Sequence, residues 1–177
     1  GIVNRFGTNV IAAYSAASRI DSMAMLPVMN FSAALSGFVG QNVGANKIDR
    51  VKAGLRATFI MSISICILLS LVIVFWGDSI MSLFTNSQEV IAIGHEYLIV
   101  VSAFYFLFAV LFTFNGVLRG AGDTLIPMFI TLFSLWVIRI PLAYVLSKYF
   151  GIEEVGIWWS IPIGWLFGAI GSIIYFR

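Results

Sequence analysis

The sequence predicts an all-α protein, a polytopic transmembrane helical bundle with five spanning helices. Five apolar stretches are the basis of this prediction, and they cover residues 22–43, 57–76, 97–118, 125–146 and 155–176. Four of them contain no Asp, Glu, Lys or Arg, and the other has a single charge, Arg139. Because a helix rises about 1.5 Å per residue and the hydrocarbon layer is about 30 Å thick, each stretch is long enough to cross a bilayer.

The overall composition supports the same class. Hydrophobic residues make up 60% of the chain and charged residues 10%, whereas soluble domains average roughly 45–50% and 25%. The net charge of +2 gives no electrostatic footprint for nucleic acid, so the lipid bilayer is the partner that we expect. The single cysteine, Cys66, allows neither an internal disulfide nor a thiolate metal cluster.

We predict one transmembrane domain over residues 1–177. Its helices are expected at about residues 9–43, 55–76, 90–118, 124–147 and 155–176. Asp123 is a natural cap for the fourth helix, and the Gly77-Asp78 pair is expected to break the chain after the second. Prolines inside three of the spans favour kinks, because proline removes a backbone donor.

Basic residues are distributed unevenly over the connections. The connection at 44–56 carries four basic side chains against one acid, and the connection at 77–96 carries three acids with no Lys or Arg. The positive-inside bias therefore predicts a cytoplasmic 44–56 loop, an external N-terminus and a cytoplasmic C-terminus. The odd number of spans and the start without Met lead us to expect a fragment of a larger protein.

Two polar residues are predicted near the middle of the membrane. Arg139 lies about 5 Å from the centre of its span, toward the outside. An arginine at that depth must face protein or water, so it is either a gate or counter-charge, or a clamp on carbonyls freed by Pro141. Asn30 on the first helix is nearly level with it. It can contribute to a polar site or make an interhelical hydrogen bond worth about 1 kcal/mol.

Other polar residues lie nearer the predicted membrane surfaces. Arg19 and Asp21 fall at the outer edge of the first helix, where an interfacial role or a proton- or cation-accepting Asp21 is possible. Gln41, Asn42 and Asn115 fall near the inner ends of two helices and are expected to cap and bridge them. We group Asn30, Asp21, Arg139, Asn115 and Gln41 as candidates for a substrate or ion pathway.

The sequence gives little support to an enzyme. His95 has no second ligand at metal spacing, and Gly-Ala-Gly-Asp at 120–123 follows no strand, so we read it as a helix-capping turn. We expect no metal and no cofactor. Phe104, Phe108 and Phe112 can form an aromatic wall for flat cations, or they can face lipid or another helix. Small residues at every fourth position of the last helix predict close packing; they are Ser160, Gly164, Gly168 and Ser172.

Several of these motifs resemble one known family. AAYSAASRID at 12–21, followed by Pro27 and GQNVGAN at 40–46, resembles the second helix of a lobe of the multidrug and toxic compound extrusion (MATE) family. LRGAGDT at 118–124 and RIPLAY at 139–144 are similar to the turns and helices that follow in its second lobe. The likeness covers essentially the whole chain.

The resemblance implies most of one six-helix lobe, with an N-terminal lobe missing from this chain. It implies efflux of small amphipathic molecules, chiefly organic cations, across a bacterial plasma membrane in exchange for Na⁺ or H⁺. Where one branch of the family has a coupling acid, this chain has Phe108. We therefore expect the coupling acid to lie outside the chain. The alternatives are a lipid-linked sugar flippase or polysaccharide exporter of the same superfamily, and a structural membrane scaffold.

Overall fold

A computed structural model describes residues 7–149 and 153–176, and it confirms the all-α class, since no strand occurs in those two ranges. The helices, in chain order, are α1 (Thr8–Gly44), α2 (Ile48–Ser82), α3 (Gln88–Ser102), α4 (Tyr105–Gly120), α5 (Leu125–Leu132), a π-helical segment (Phe133–Ile138), α6 (Arg139–Tyr149) and α7 (Glu153–Phe176). By length and composition α1, α2, the α5–α6 run and α7 can each cross a membrane, and α3 with α4 makes a fifth, bent span if the two are counted as one.

Helix α1 is central to the packing. It contacts α2, α3 and α4, while α7 packs against α4 and α6 on the other side of the bundle. The interior is filled by large side chains from different helices, among them Leu98, Leu111 and Trp158, all fully buried. The described residues therefore form a large apolar cluster around α1, α3, α4 and α7 and a smaller one where the C-terminal part of α1 meets α2 and α4.

The second helix is longer than the sequence predicted. It begins at Ile48 and not near 55, because the basic segment before the apolar stretch continues the same helix beyond the hydrocarbon. It also runs through Gly77 and Asp78, which we predicted as breakers. A Cβ at Gly77 would come within 2.5 Å of the His95 ring, so the glycine makes room for it. Asp78 Oδ1 then pairs with His95 Nδ1 at 2.7 Å.

The third span is broken, although we predicted a single helix over 90–118. α3 ends at Ser102, and α4 starts at Tyr105 after a bend of 50°. Side chains of α2 bind carbonyls next to the break. Ser70 Oγ donates to the Ser102 carbonyl at 2.5 Å, and Cys66 Sγ donates to the Tyr105 carbonyl at 3.4 Å. These contacts compensate for helical hydrogen bonds that the bend removes.

The fourth span changes helix type at its centre. Pro141 has no N–H for the carbonyl of Val137, four residues earlier, and the π-helical segment lies over that position. Ser134 in this segment donates a hydrogen bond to the Gly164 carbonyl of α7. At the start of the span, Asp123 Oδ1 accepts from the Ile126 N–H at 3.3 Å, as expected of a capping residue.

Glycines bring α1 and α4 close together. A Cβ at Gly116 would lie 2.7 Å from the Ser32 carbonyl oxygen, and a Cβ at Gly120 would clash with the Ser36 carbonyl. The small-residue ridge of α7 works in the same way, because Gly164 packs on the Arg139 stem and Gly168 on Ser134. Close backbone approach is how helices associate where lipid removes the hydrophobic driving force between them.

Candidate functional site

A buried carboxylate lies between the first and third spans. Asp21 on α1 is only 8% exposed, and its Oδ2 accepts a hydrogen bond from the Tyr97 hydroxyl of α3 at 3.3 Å. The Tyr105 hydroxyl of α4 lies beside the same carboxylate. Neither Asp21 Oδ1 nor the Tyr105 hydroxyl satisfies hydrogen-bond geometry with any described residue. The carboxylate is thus bonded to Tyr97, and the Tyr105 hydroxyl lies close enough to interact with it.

Aromatic rings pack around the Tyr97 side chain that binds this carboxylate. The Tyr97 ring meets the Trp158 ring edge-on, with centroids 5.0 Å apart, and Tyr14 stacks on Trp158 at 5.7 Å. Tyr97 and Trp158 are almost completely buried. Such a layer excludes water and lowers the local dielectric, so charges near Asp21 act strongly on it.

Arg139 supplies the positive charge that acts on this carboxylate. Its charge reaches both Asp21 and Tyr97 without forming a direct salt bridge with Asp21. The arginine is half-buried, and its stem packs on Gly164 of α7. Within residues 7–149 and 153–176 its guanidinium donates no hydrogen bond to a backbone carbonyl, so the clamp interpretation finds no contact there. The counter-charge interpretation stays a prediction.

Asp21 lies on the buried side of α1, about 8 Å along the helix axis from the midpoint of α1. The Tyr105 ring beside it is 6.4 Å from the ring of Trp165, which sits at the middle of α7. Asp21 therefore occupies the interior of the spanning bundle, where an ionisable group is costly and usually functional.

A second polar cluster joins three helices at the other end of the bundle. Asn115 is buried; its Nδ2 donates to Thr131 Oγ1 and its Oδ1 accepts from Ser172 Oγ, both at 3.0 Å. Next to it, Arg119 Nε donates to the Asn115 carbonyl at 3.3 Å, and Nη2 donates to Ser32 Oγ at 3.1 Å. Asn115, Arg119 and Thr131 line an open cavity of about 270 Å³ between α4 and α5. The bridging that we expected of Asn115 is present, but to Thr131 and Ser172.

Asn30 and Gln41 lie apart from both clusters. Both are exposed on the same face of α1, and neither side chain makes a hydrogen bond to another described residue. Asn42 is buried and donates Nδ2 to the Phe38 carbonyl of its own helix at 2.7 Å. The structure therefore brings Asp21 together with Tyr97 and Tyr105, and Arg139 interacts with this group only weakly and without direct contact. It places Asn30 and Gln41 on a surface and Asn115 in a separate network.

The aromatic residues of the third span pack inside the bundle. Phe108 stacks on Phe112 with centroids 4.2 Å apart and meets Trp165 edge-on at 5.3 Å. Phe104 contacts Trp159 of the same last helix. Of the two interpretations of this stripe, the contact with a partner helix is the one found here, and Phe108 is a core residue.

Sequence reasoning did not select Tyr97 and Tyr105 as site residues. A signal for them is present, because both tyrosines occur within the predicted helix at 90–118, and buried tyrosine hydroxyls need polar partners. The partner was not recognisable, because Asp21 precedes both by many residues and only the packing of α1 against α3 and α4 joins them.

The fold and the buried polar site define a multi-pass membrane protein of the transporter class. The MatE family model matches residues 1–145 of the chain, so the chain belongs to the MatE family. Relatives include the probable multidrug resistance protein YoeA of Bacillus subtilis, 32% identical over 160 residues, covering 90% of this chain and 35% of that protein. The probable multidrug resistance protein NorM of Thermotoga maritima is 28% identical over 170 residues, covering 96% of this chain and 37% of that protein.

Solved MATE structures share the fold. The outward-facing conformation of a multidrug resistance MATE transporter of the MOP superfamily superposes with a TM-score of 0.87 at 20% identity, over 94% of this chain and 38% of that chain. An inward-facing conformation gives a TM-score of 0.85 at 19% identity, over 94% of this chain and 41% of that chain. This chain thus spans little more than a third of the length of the curated relatives that it matches.

Proposed function

We propose that this chain is most of one lobe of a two-lobe multidrug antiporter in the bacterial plasma membrane. It exports small amphipathic cations in exchange for inward H⁺ or Na⁺. Membership of the MatE family and the names of its relatives, which are probable multidrug resistance proteins, support this function. Their greater length leaves room for a second lobe, and a pathway between two lobes is expected to involve the exposed face of α1.

The chemistry of that face is the observation that carries the proposal. One side of α1 exposes mainly small and polar residues at helical spacing, interrupted by the apolar Leu26; they are Ser15, Arg19, Ser22, Asn30, Ala33, Gly37 and Gln41. Exposed methionines lie among them, at Met23 and Met29. Asn and Arg side chains are unfavourable on a surface in contact with lipid tails. A binding surface for an amphipathic cation needs both polar groups and adaptable apolar contacts.

Helix α2 provides the contrast. Its exposed residues are bulky and apolar at membrane depth, for example Ile67, Leu71 and Phe75. This is the composition of a surface that faces lipid. Two neighbouring spans of one chain thus expose surfaces of different chemical character. The surface of α1 is the one suited to a drug pathway that water can enter.

Cysteine accessibility in the full-length protein tests this assignment. The background variant is Cys66→Ser, which removes the single cysteine of this chain, together with removal of any cysteine elsewhere in the protein. Asn30→Cys and Ala33→Cys on α1 are compared with the matched control Ile67→Cys on α2. A membrane-impermeant thiosulfonate is expected to label both α1 variants and not the control, and an organic cation such as ethidium should slow the labelling.

Equal labelling of the α1 and α2 positions, or labelling of α1 that ethidium leaves unchanged, would show that the α1 face is not the drug pathway. Absence of labelling at both α1 positions, whether the protein is in an outward-facing or an inward-facing conformation, would also show that the α1 face is not the drug pathway.

A further inference from the structure

Asp21 has no role in the drug pathway proposed above. It points away from the exposed face of α1 into the bundle, and its Oδ1 has no hydrogen-bond partner among the described residues. The Tyr105 hydroxyl beside it is likewise without a partner there. The two oxygens can bond in either direction: a protonated carboxyl donates its O–H to the Tyr105 oxygen, and an ionised carboxylate accepts from the Tyr105 hydroxyl, while Oδ2 accepts from Tyr97 in both states.

The ionised carboxylate also has an electrostatic partner. The titratable or charged groups that act on this site are Tyr14 of α1, Cys66 of α2, Tyr97 of α3, Tyr105 of α4 and Arg139 of α6. Of these five groups, Arg139 alone carries a permanent charge, and α7 contributes the uncharged Trp158. Asp21 can therefore exist in two states: neutral and hydrogen-bonded, or ionised and stabilised by Arg139.

The surroundings suit a proton better than a sodium ion. Sodium requires a shell of several oxygen ligands, and the side chains next to Asp21 offer two phenol hydroxyls. The carbonyls of Ser102 and Tyr105, next to the helix break, already accept hydrogen bonds from α2. The positive charge of Arg139 would further repel a metal cation, whereas a proton needs one oxygen and no shell.

The position of Asp21 and the two tyrosines connects the protonation state of Asp21 to the two halves of the third span. Tyr97 lies on α3 and Tyr105 on α4, on opposite sides of the 50° break in the third span. An ionised Asp21 can accept hydrogen bonds from both hydroxyls and so tie both halves of the span to α1. A protonated Asp21 turns one of these contacts into a donor contact. The direction of one of these two hydrogen bonds thus depends on one proton.

We propose that Asp21 is a proton-carrying residue of this lobe, selective for H⁺ over Na⁺, and that Tyr97 and Tyr105 transmit its protonation state to the two halves of the broken span. This proposal rests on the proposed antiport function, because an antiporter needs a coupling ion. It replaces our expectation, drawn from the sequence, that the coupling acid lies outside this chain.

The experiment measures ethidium transport by the purified full-length protein in proteoliposomes. One set of vesicles has a pH gradient in sodium-free buffers, and the other has a sodium gradient at uniform pH. We expect transport with the pH gradient and none with sodium alone. Asp21→Asn should reduce the pH-driven rate at least tenfold, while the matched control Glu89→Gln, an exposed acid at the start of α3, leaves it unchanged.

The tyrosines are tested by removing single oxygens. Tyr97→Phe and Tyr105→Phe are each expected to move the pH profile of ethidium transport by about one pH unit, because each hydroxyl favours one protonation state of the carboxyl. Tyr175→Phe, an exposed tyrosine at the end of α7, is the matched control and should not move it. A purely structural role for the tyrosines would lower the rate at every pH alike.

A second measurement needs no gradient. Ethidium added to the detergent-purified protein in weakly buffered solution should release protons, and Asp21→Asn should abolish the release. Transport driven by sodium alone and lost in Asp21→Asn would overturn the proton assignment and leave the antiporter standing. Full pH-driven transport by Asp21→Asn would overturn the role of Asp21. Absence of transport under both gradients would count against the proposed function, and proton release would still decide the role of Asp21.

Discussion

At the scale of single residues, the bundle depends on positions where a side chain would not fit or a polar group must be matched. Gly116 and Asn115 are adjacent in sequence and serve these two purposes. One lets α4 approach the Ser32 backbone, and the other joins α4 to Thr131 and Ser172. The conflict at Gly116 is with a backbone atom, which cannot rotate away as a side chain can.

Gly116→Ala is therefore expected to destabilise the full-length protein by about 1–3 kcal/mol, the usual cost of overpacking. Thermal unfolding of the detergent-purified protein is the measurement. The control is Gly44→Ala on α1, where a Cβ would meet no atom within 4 Å. Equal melting temperatures for the two variants would contradict the close α1–α4 contact.

Arg139 distinguishes a structural role from an electrostatic one. Arg139→Met keeps a long stem against Gly164 and removes the charge that acts on Asp21. We expect a folded protein whose ethidium efflux falls at least tenfold, with partial recovery in Arg139→Lys. A carbonyl clamp would give the opposite result, with a lower melting temperature and normal activity of the protein that remains folded.

At the scale of helices, the third and fourth spans depart most from regular geometry. Ser70 and Cys66 on α2 donate hydrogen bonds to the carbonyls next to the α3–α4 break, so side chains of the neighbouring helix also stabilise the bend. Ser70→Ala should lower the free energy of unfolding by about 1 kcal/mol, because a carbonyl inside the membrane loses its donor. Ser64→Ala, an exposed serine on the same helix, is the control and should change nothing measurable.

Much of this architecture was predictable from sequence, because membrane spans depend on the length and apolarity of a stretch. The broken third span was not, since no proline lies at Ala103 or Phe104 and the donors that stabilise the bend come from another helix. The same limit applies to the site. The sequence identified Asp21 and Arg139 as unusual, but the tyrosines next to Asp21 depend on tertiary packing.

At the scale of the whole molecule, the predicted orientation rests on the distribution of basic residues. Cysteines introduced singly at Lys52 and Glu153, in the Cys66→Ser background, should react with an impermeant reagent from opposite faces of the membrane. Lys52 lies at the start of α2 and Glu153 at the start of α7, so an odd number of crossings separates them. Labelling of both positions from the same face would rule out the proposed topology.

The measurement that most directly tests the central claim is gradient-driven transport of an organic cation by the full-length protein. Purified protein is placed in liposomes, an inward proton or sodium gradient is imposed across the membrane, and ethidium movement in the opposite direction is followed by fluorescence. We expect transport that requires one of these gradients and stops when an ionophore removes it. A folded, correctly inserted protein that moves no cationic drug under either gradient, yet flips a lipid-linked sugar, would contradict it.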